Sequence, residues 1–279
     1  MTYRYKMDLA YDGHRYRGWQ RLGDDLKAET IQGKLEAALS RLLDESVEIE
    51  GAGRTDAGVH ALGQVATFST GKVIDAAQLQ KDMNFYLPED LSVLSLEQVH
   101  PSFHARYAAV SKTYLYKILN ADIPDPFSRR YSLYLAEPLD LAAMKRAAED
   151  FVGEYDFTAF TTAKSKKKSM VRRITGLEIV EIPPVPAWAP GGQHGQVNGN
   201  RIEIRITANG FLHNMARKIT GTLIETGLGR VPTDRVRQML ESGDRRLSSE
   251  LAPAHGLYLE AVRYEASGKK TRPLTSEPQ

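Results

Sequence analysis

Cysteine is absent from all 279 residues. That excludes a disulfide framework, a thiolate nucleophile and any cysteine-ligated zinc or iron–sulfur centre. Long apolar runs are also missing. No window approaches the ~18 consecutive apolar residues of a membrane-spanning helix, and the opening MTYRYKMDLAYDG has no apolar signal-peptide core. The chain therefore reads as cytoplasmic, with no membrane partner. Net charge is low as well, 37 basic residues against 35 acidic for a balance of +2, so the field of the whole chain does not announce a polyanionic partner. Charge is concentrated only locally. Residues 164–173, KSKKKSMVRR, hold six basic residues and no acid. Such a run is either a solvated loop or an edge that meets phosphates and releases their counterions.

What is present is the composition of a packed globular protein, 42% apolar and long enough for one large domain or two ordinary ones. Tyr3 to Tyr11 alternates and predicts a strand, followed by the arginine- and aromatic-rich turn DGHRYRGWQ. Thr30 can cap a helix whose Ile31, Leu35, Ala38, Leu39 and Leu42 share one face. A short β-like run at Val47 to Glu50, a strand at Gln64 to Phe68, a helix near Ala76 to Asn84 and an apolar run at Leu91 to Leu96 complete a first unit, residues 1–102. A second unit, 103–265, starts near Phe103. Ser111 to Leu119 is its clearest strand, with Tyr114, Tyr116 and Ile118 on one face. Asp140 to Phe151 reads as a helix, Ile174 to Ile182 and Arg201 to Ala208 as strands, and 183–200 between them as a Pro- and Gly-rich surface loop. Phe211 to Thr226 predicts a helix with Leu212, Met215, Ile219 and Leu223 as its stripe. Asp234 to Leu240 is a shorter helix, and Leu257 to Tyr264 a final strand. Residues 266–279 have almost nothing to bury and read as a disordered tail. This order predicts an α+β fold: two similar α/β halves sharing a large, mainly antiparallel sheet with a central cleft.

The segment GAGRTDAGVHALG, residues 51–63, sets one carboxylate, Asp56, in a glycine-framed turn beside Arg54. Glycines free the turn to hold both side chains outward. An arginine two residues away favours an ionised carboxylate, the state a nucleophile requires. The glycines do not make GxGxxG, and GxxxxGK[ST] is absent from the chain, so a nucleotide-phosphate cradle is not indicated.

GAGRTDAGVHALGQVATF is similar to the signature of TruA-type tRNA pseudouridine synthases. LAYDGHRYRGWQ at 9–20, TIQGKLEAAL at 30–39, FHARYAAVSKTYLYKI at 103–118 and ANGFLHNMARKITGTL at 208–223 resemble further segments of that family, in the same order. Tyr16 and Tyr107 depart from the usual Phe by adding a hydroxyl. The resemblance implies a pseudouridine synthase fold and isomerisation of uridine to pseudouridine at positions 38, 39 and 40 of the anticodon stem-loop of tRNA. It implies Asp56 as nucleophile, Arg54 in base flipping or nucleotide positioning, Tyr114 as the pocket tyrosine on which uracil stacks, and Arg217 as the partner of Asp56. It also implies a homodimer that uses no cofactor and no metal. From the residues alone, Arg217 lies about 140° around its helix from Leu212 and reads as an ordinary exposed arginine, while Tyr116 reads as a core tyrosine. Two other functions remain open at this point. One is RNA binding or remodelling without catalysis. The other is a metal-dependent nuclease using Asp8, Asp12 and Asp56.

Overall fold

Alternation along Tyr3–Tyr11 buries Tyr5, Met7, Leu9 and Tyr11 on one face and makes this segment strand β1 of the computed structural model, which describes residues 2–21, 23, 29–162, 169–182 and 199–265. The basic run at 164–168, the loop 183–198 and the tail 266–279 lie outside the described residues. Helix α1, Ile31–Leu43, starts where the Thr30 side chain accepts from Gly33 N and ends where Asp44 turns left-handed. It leads into β2, Ile49–Gly51, and β3, His60–Thr70. Helix α2, Ala76–Tyr86, is capped by Asp75, and β4, Leu91–Val99, follows. The remaining elements are β5 at Ala109–Ala121, β6 at Leu133–Leu135, α3 at Leu141–Glu149, β7 at Gly153–Asp156, β8 at Val171–Ile182, β9 at Gly199–Ala208, α4 at Met215–Gly227, α5 at Arg235–Ser242 and β10 at Leu257–Tyr264.

All ten strands form one sheet in the order β4-β1-β3-β10-β5-β9-β8-β7, with β2 added to β3 and β6 to β5. Strands from before residue 102 occupy one side and strands from after it the other. Between them lies β10, parallel to β3 through Tyr258↔His60 and Leu259↔Ala61 and antiparallel to β5 along its length. The buried strand faces and the inward stripes of all five helices make one continuous hydrophobic cluster. The architecture is therefore α+β with a large, mostly antiparallel sheet. No described helix is long and apolar enough to cross a membrane.

Several boundaries differ from the periodicity, with β3 beginning at His60 and β8 at Val171, and two of the differences have a local cause. The late helix begins at Met215, not Phe211, because Asn214 adopts a left-handed φ of 62°, which Asn tolerates but a continuing helix does not. Phe211 to Asn214 consequently form a turn, with Leu212 still packed against the core. The loop assigned to 183–200 ends earlier, since Gly199 and Asn200 already pair with Ala121 and Asn120. Strands β6 and β7, three and four residues long, are too short for alternation to reveal.

Candidate active site

The glycine-framed turn between β2 and β3 is held from both sides. Ala52 N donates to Val65 O at 2.7 Å, and Gln64 Nε2 donates to Gly53 O at 2.9 Å. Trp19 N donates to Thr55 O at 3.0 Å, and the Thr55 hydroxyl lies 2.8 Å from the buried Tyr11 Oη. Val59 N closes the turn on Asp56 O at 3.1 Å, with Gly58 at φ 78°. Gly18 crosses beside it at φ 94°, so close that a Cβ there would lie 2.6 Å from Thr55 O. Just downstream, His60 is buried. Gly13 N donates to its Nδ1 at 3.0 Å, so Nε2 carries the proton and faces Arg130 O at 3.0 Å and His255 O at 3.1 Å. Burial lowers the His60 pKa and keeps this tautomer neutral. The ring thus ties the turn to the 13, 130 and 255 segments. Asp56 sits on a fixed backbone, its side chain 32% exposed.

That side chain opens into a cleft of about 830 Å3 lined by the turn, by β5 and by the Phe211–Arg217 segment. Arg54, Asp56, Tyr114 and Arg217 all line it. Arg217 Nη1 stands 3.9 Å from Asp56 Oδ2, while its Nε donates to Ala252 O at 2.7 Å. Its side chain is only 17% exposed. The helical geometry rightly keeps Arg217 off the apolar stripe, yet it is not an exposed arginine. Arg54 does not pair with Asp56. It is exposed and makes no hydrogen bond or ion pair with another described residue, so the groups beside the carboxylate are the Arg217 guanidinium and the imidazole of His213, to which the sequence assigned no role.

His213 Nε2 lies 3.4 Å from Asp56 Oδ1. Thr162 Oγ1 accepts from Asn214 Nδ2 at 2.8 Å and lies 2.7 Å from His213 Nδ1. When that hydroxyl donates to Nδ1, the proton of the neutral ring sits on Nε2, the nitrogen nearer the carboxylate. The available signal was its place two residues before Met215, in a turn that the continuous helical pattern hides.

Tyr114, on β5, is buried against the edge of Phe211 at 4.7 Å between ring centroids. Its hydroxyl bonds to no other described residue, and burial raises its pKa, so it remains a neutral phenol. Tyr116, by contrast, donates to Pro253 O at 2.9 Å and is a core residue. Asp8 accepts from Ser95 Oγ at 2.6 Å, and Asp12 accepts from His14 N and Tyr131 Oη, both at 2.9 Å. Neither lines the Asp56 cleft, and among the described residues no group of three His, Asp or Glu is placed to hold a metal ion.

Comparison with known proteins gives one consistent result. A family model described as tRNA pseudouridine synthase matches residues 9–108 and 147–265. The chain is 46% identical over 260 residues to tRNA pseudouridine synthase A 2 of Bacillus anthracis, covering 93% of this chain and 99% of that protein. The protein of the same name from Clostridium perfringens (strain 13 / Type A) is 38% identical over 261 residues, covering 93% and 98%.

Proposed function

The chain belongs to the tRNA pseudouridine synthase family, and from that premise we propose that Asp56 is the nucleophile for isomerising uridines 38, 39 and 40 in the anticodon stem-loop of tRNA. The protein is an enzyme, an isomerase of uridine in tRNA. The N1–C1′ bond of a uridine within the RNA breaks and a C5–C1′ bond forms. C5 gives up a proton and N1 gains one, with no change of oxidation state. One observation carries the residue assignment: Asp56 faces the cleft between Arg217 at 3.9 Å and His213 at 3.4 Å, in the same cleft as Tyr114.

The target base is stacked in RNA and must be flipped out before reaction, at a cost of a few kcal/mol. Arg54 is exposed at the cleft and unengaged by other described residues, which suits a side chain that enters the vacated space or holds the flipped nucleotide. The Tyr114 ring offers uracil a stacking face worth about 1–3 kcal/mol. As a neutral phenol, its hydroxyl takes the C5 proton only by passing on its own. Arg217 and the Nε2–H of His213 hold the carboxylate toward the base. Attack at C6, attack at C1′ and departure through a glycal all use this one carboxylate. In this reading residues 1–102 and 103–265 are two halves of one catalytic unit, and the enzyme acts as a cytoplasmic homodimer that lends both copies' charge to one tRNA.

The test uses purified protein in EDTA, an unmodified tRNA transcript, and carbodiimide labelling with primer extension, with Asp56→Ala alongside. New stops at positions 38–40 with wild type alone support the reading. Stops elsewhere refute the site assignment, stops with Asp56→Ala refute the nucleophile, and tRNA binding without any stops points to a non-catalytic RNA-binding protein.

A further inference from the structure

Three cations converge on the same cleft beyond Tyr114, and the proposed chemistry uses none of them. Lys112 lies two residues before Tyr114 on β5, hence on the same strand face. Its Nζ donates to Ala52 O at 2.6 Å and stands 3.5 Å from where a Cβ on Gly53 would be, against the turn that carries Asp56. It forms no ion pair with a described residue. Arg172, on β8, donates to the carbonyls of Ser169 at 3.0 Å and Val171 at 2.6 Å, and Arg106 stacks on Tyr107 with 5.8 Å to the ring centroid. Neither of them meets a described carboxylate. The cleft's other acid on this side, Glu50, is already bound by Arg4 and lies 3.4 Å from His104. Three positive groups therefore line the cleft with only carbonyls and one aromatic ring as partners among the described residues.

We propose that Lys112, Arg106 and Arg172 form the pocket for the backbone phosphate of the flipped target nucleotide, leaving Arg54 to fill the space the base vacates. This rests on the reading of the cleft as a uridine isomerase. A phosphate supplies the missing counter-charge, and the adjacent Tyr114 places the attached base over Asp56. Burial, with Arg106 and Arg172 nearby, pushes Lys112 down to about 8, so near that pH the free enzyme holds it about half charged. A bound phosphate favours the charged form, and binding is coupled to proton uptake. Of the titratable and charged groups lining the cleft around Lys112, Arg106 and Arg172 oppose its charge, while Arg54 and His104 share the lining. Glu50 is engaged as described, and Tyr114 stays neutral.

The experiment measures binding of a synthetic anticodon stem-loop RNA with and without a single uncharged methylphosphonate at the target nucleotide. Wild type, Lys112→Met and Arg172→Gln are compared, and pseudouridine formation is recorded on the unmodified RNA. The expected result is about a tenfold loss on methylphosphonate substitution for wild type and little further loss for either variant. The salt slope should fall by roughly 1 in each variant. Calorimetry at pH 8 in buffers of different ionisation enthalpy should show uptake of about half a proton by wild type, and less by Lys112→Arg, whose charge is fixed. If methylphosphonate costs the variants as much as wild type, the pocket is refuted even while wild type makes pseudouridine. If wild type makes none on any tRNA, the underlying reading fails instead. Arg172 lies on β8, away from the catalytic turn, so its variant keeps the test meaningful should Lys112→Met fold poorly.

Discussion

Replacing Gly18 by alanine should damage catalysis far more than replacing Gly58, although both glycines are left-handed. At Gly58, φ 78°, an added Cβ would meet only the Ala254 methyl at 3.4 Å, an ordinary contact. The cost is then backbone strain alone, about 1–2 kcal/mol, partly offset by the lower entropy of the unfolded chain. At Gly18, φ 94°, the same Cβ would lie 2.6 Å from Thr55 O. Reaching 3.4 Å requires a shift of about 0.8 Å, and both partners are backbone. The structure yields either by stretching the Trp19 N–Thr55 O bond, 3.0 Å, or by moving the residue that precedes Asp56. Gly18→Ala should therefore cost roughly 3 kcal/mol, strain plus a weakened buried hydrogen bond. A displacement near 1 Å at a reacting group lowers turnover about a hundredfold. Urea melts of both variants give the stabilities, and single-turnover pseudouridine formation with saturating enzyme gives the rates. A Gly18→Ala protein as stable and as fast as Gly58→Ala would refute the idea that this crossing sets the position of Asp56.

Four further outcomes follow from the site. Arg217→Met should lower kcat ten- to hundredfold with KM within about twofold, since it removes a group that holds Asp56 without touching the rest of the RNA; steady-state kinetics decide, and a KM effect alone would contradict it. Arg54→Ala should reduce turnover more than tRNA affinity, measured by filter binding beside the rate assay, and normal turnover would remove its role in flipping. His213→Gln, which keeps an N–H donor near Asp56, should retain several times the kcat of His213→Ala, and equal rates would mean that the donor is idle. Lys112 has a folded pKa below its unfolded value, so the unfolded chain binds more protons between about pH 8 and 10.5. Wild-type stability relative to Lys112→Met should rise with pH across that window and level off above it, as denaturant midpoints at several pH values would show.

Helical stripes are legible in the sequence because burial follows the backbone's own period. Ile31, Leu35 and Leu39 are all buried in α1, and Tyr5, Met7 and Leu9 alternate into the core from β1. The turn holding Asp56 is legible because glycine and charge mark it locally. Its surroundings are not. Arg54 neighbours Asp56 in sequence but not as an ion pair, because the turn directs the two side chains differently. His213 lies beside the carboxylate in a turn that Asn214 makes left-handed, which asparagine tolerates and its side-chain bond to the distant Thr162 supports, and that long-range bond is invisible to helical periodicity. Lys112 drew no reading from the sequence, because its contact with Ala52 O spans 60 residues. Alternation likewise shows that β10 is a strand without revealing its neighbours.

The placement of β10 puts the C-terminal strand of the described residues at the middle of the sheet. Without Leu257–Tyr264, the segments of β3 and β5 that flank it lose their pairing, and His60 loses the stacked ring of Tyr258 at 4.7 Å. A ribosome that stops short of this strand releases two unjoined half-sheets with sticky flanks, suited to capture by chaperones and proteases. One eight-residue strand is thus the seam on which the union of the two half-sheets depends.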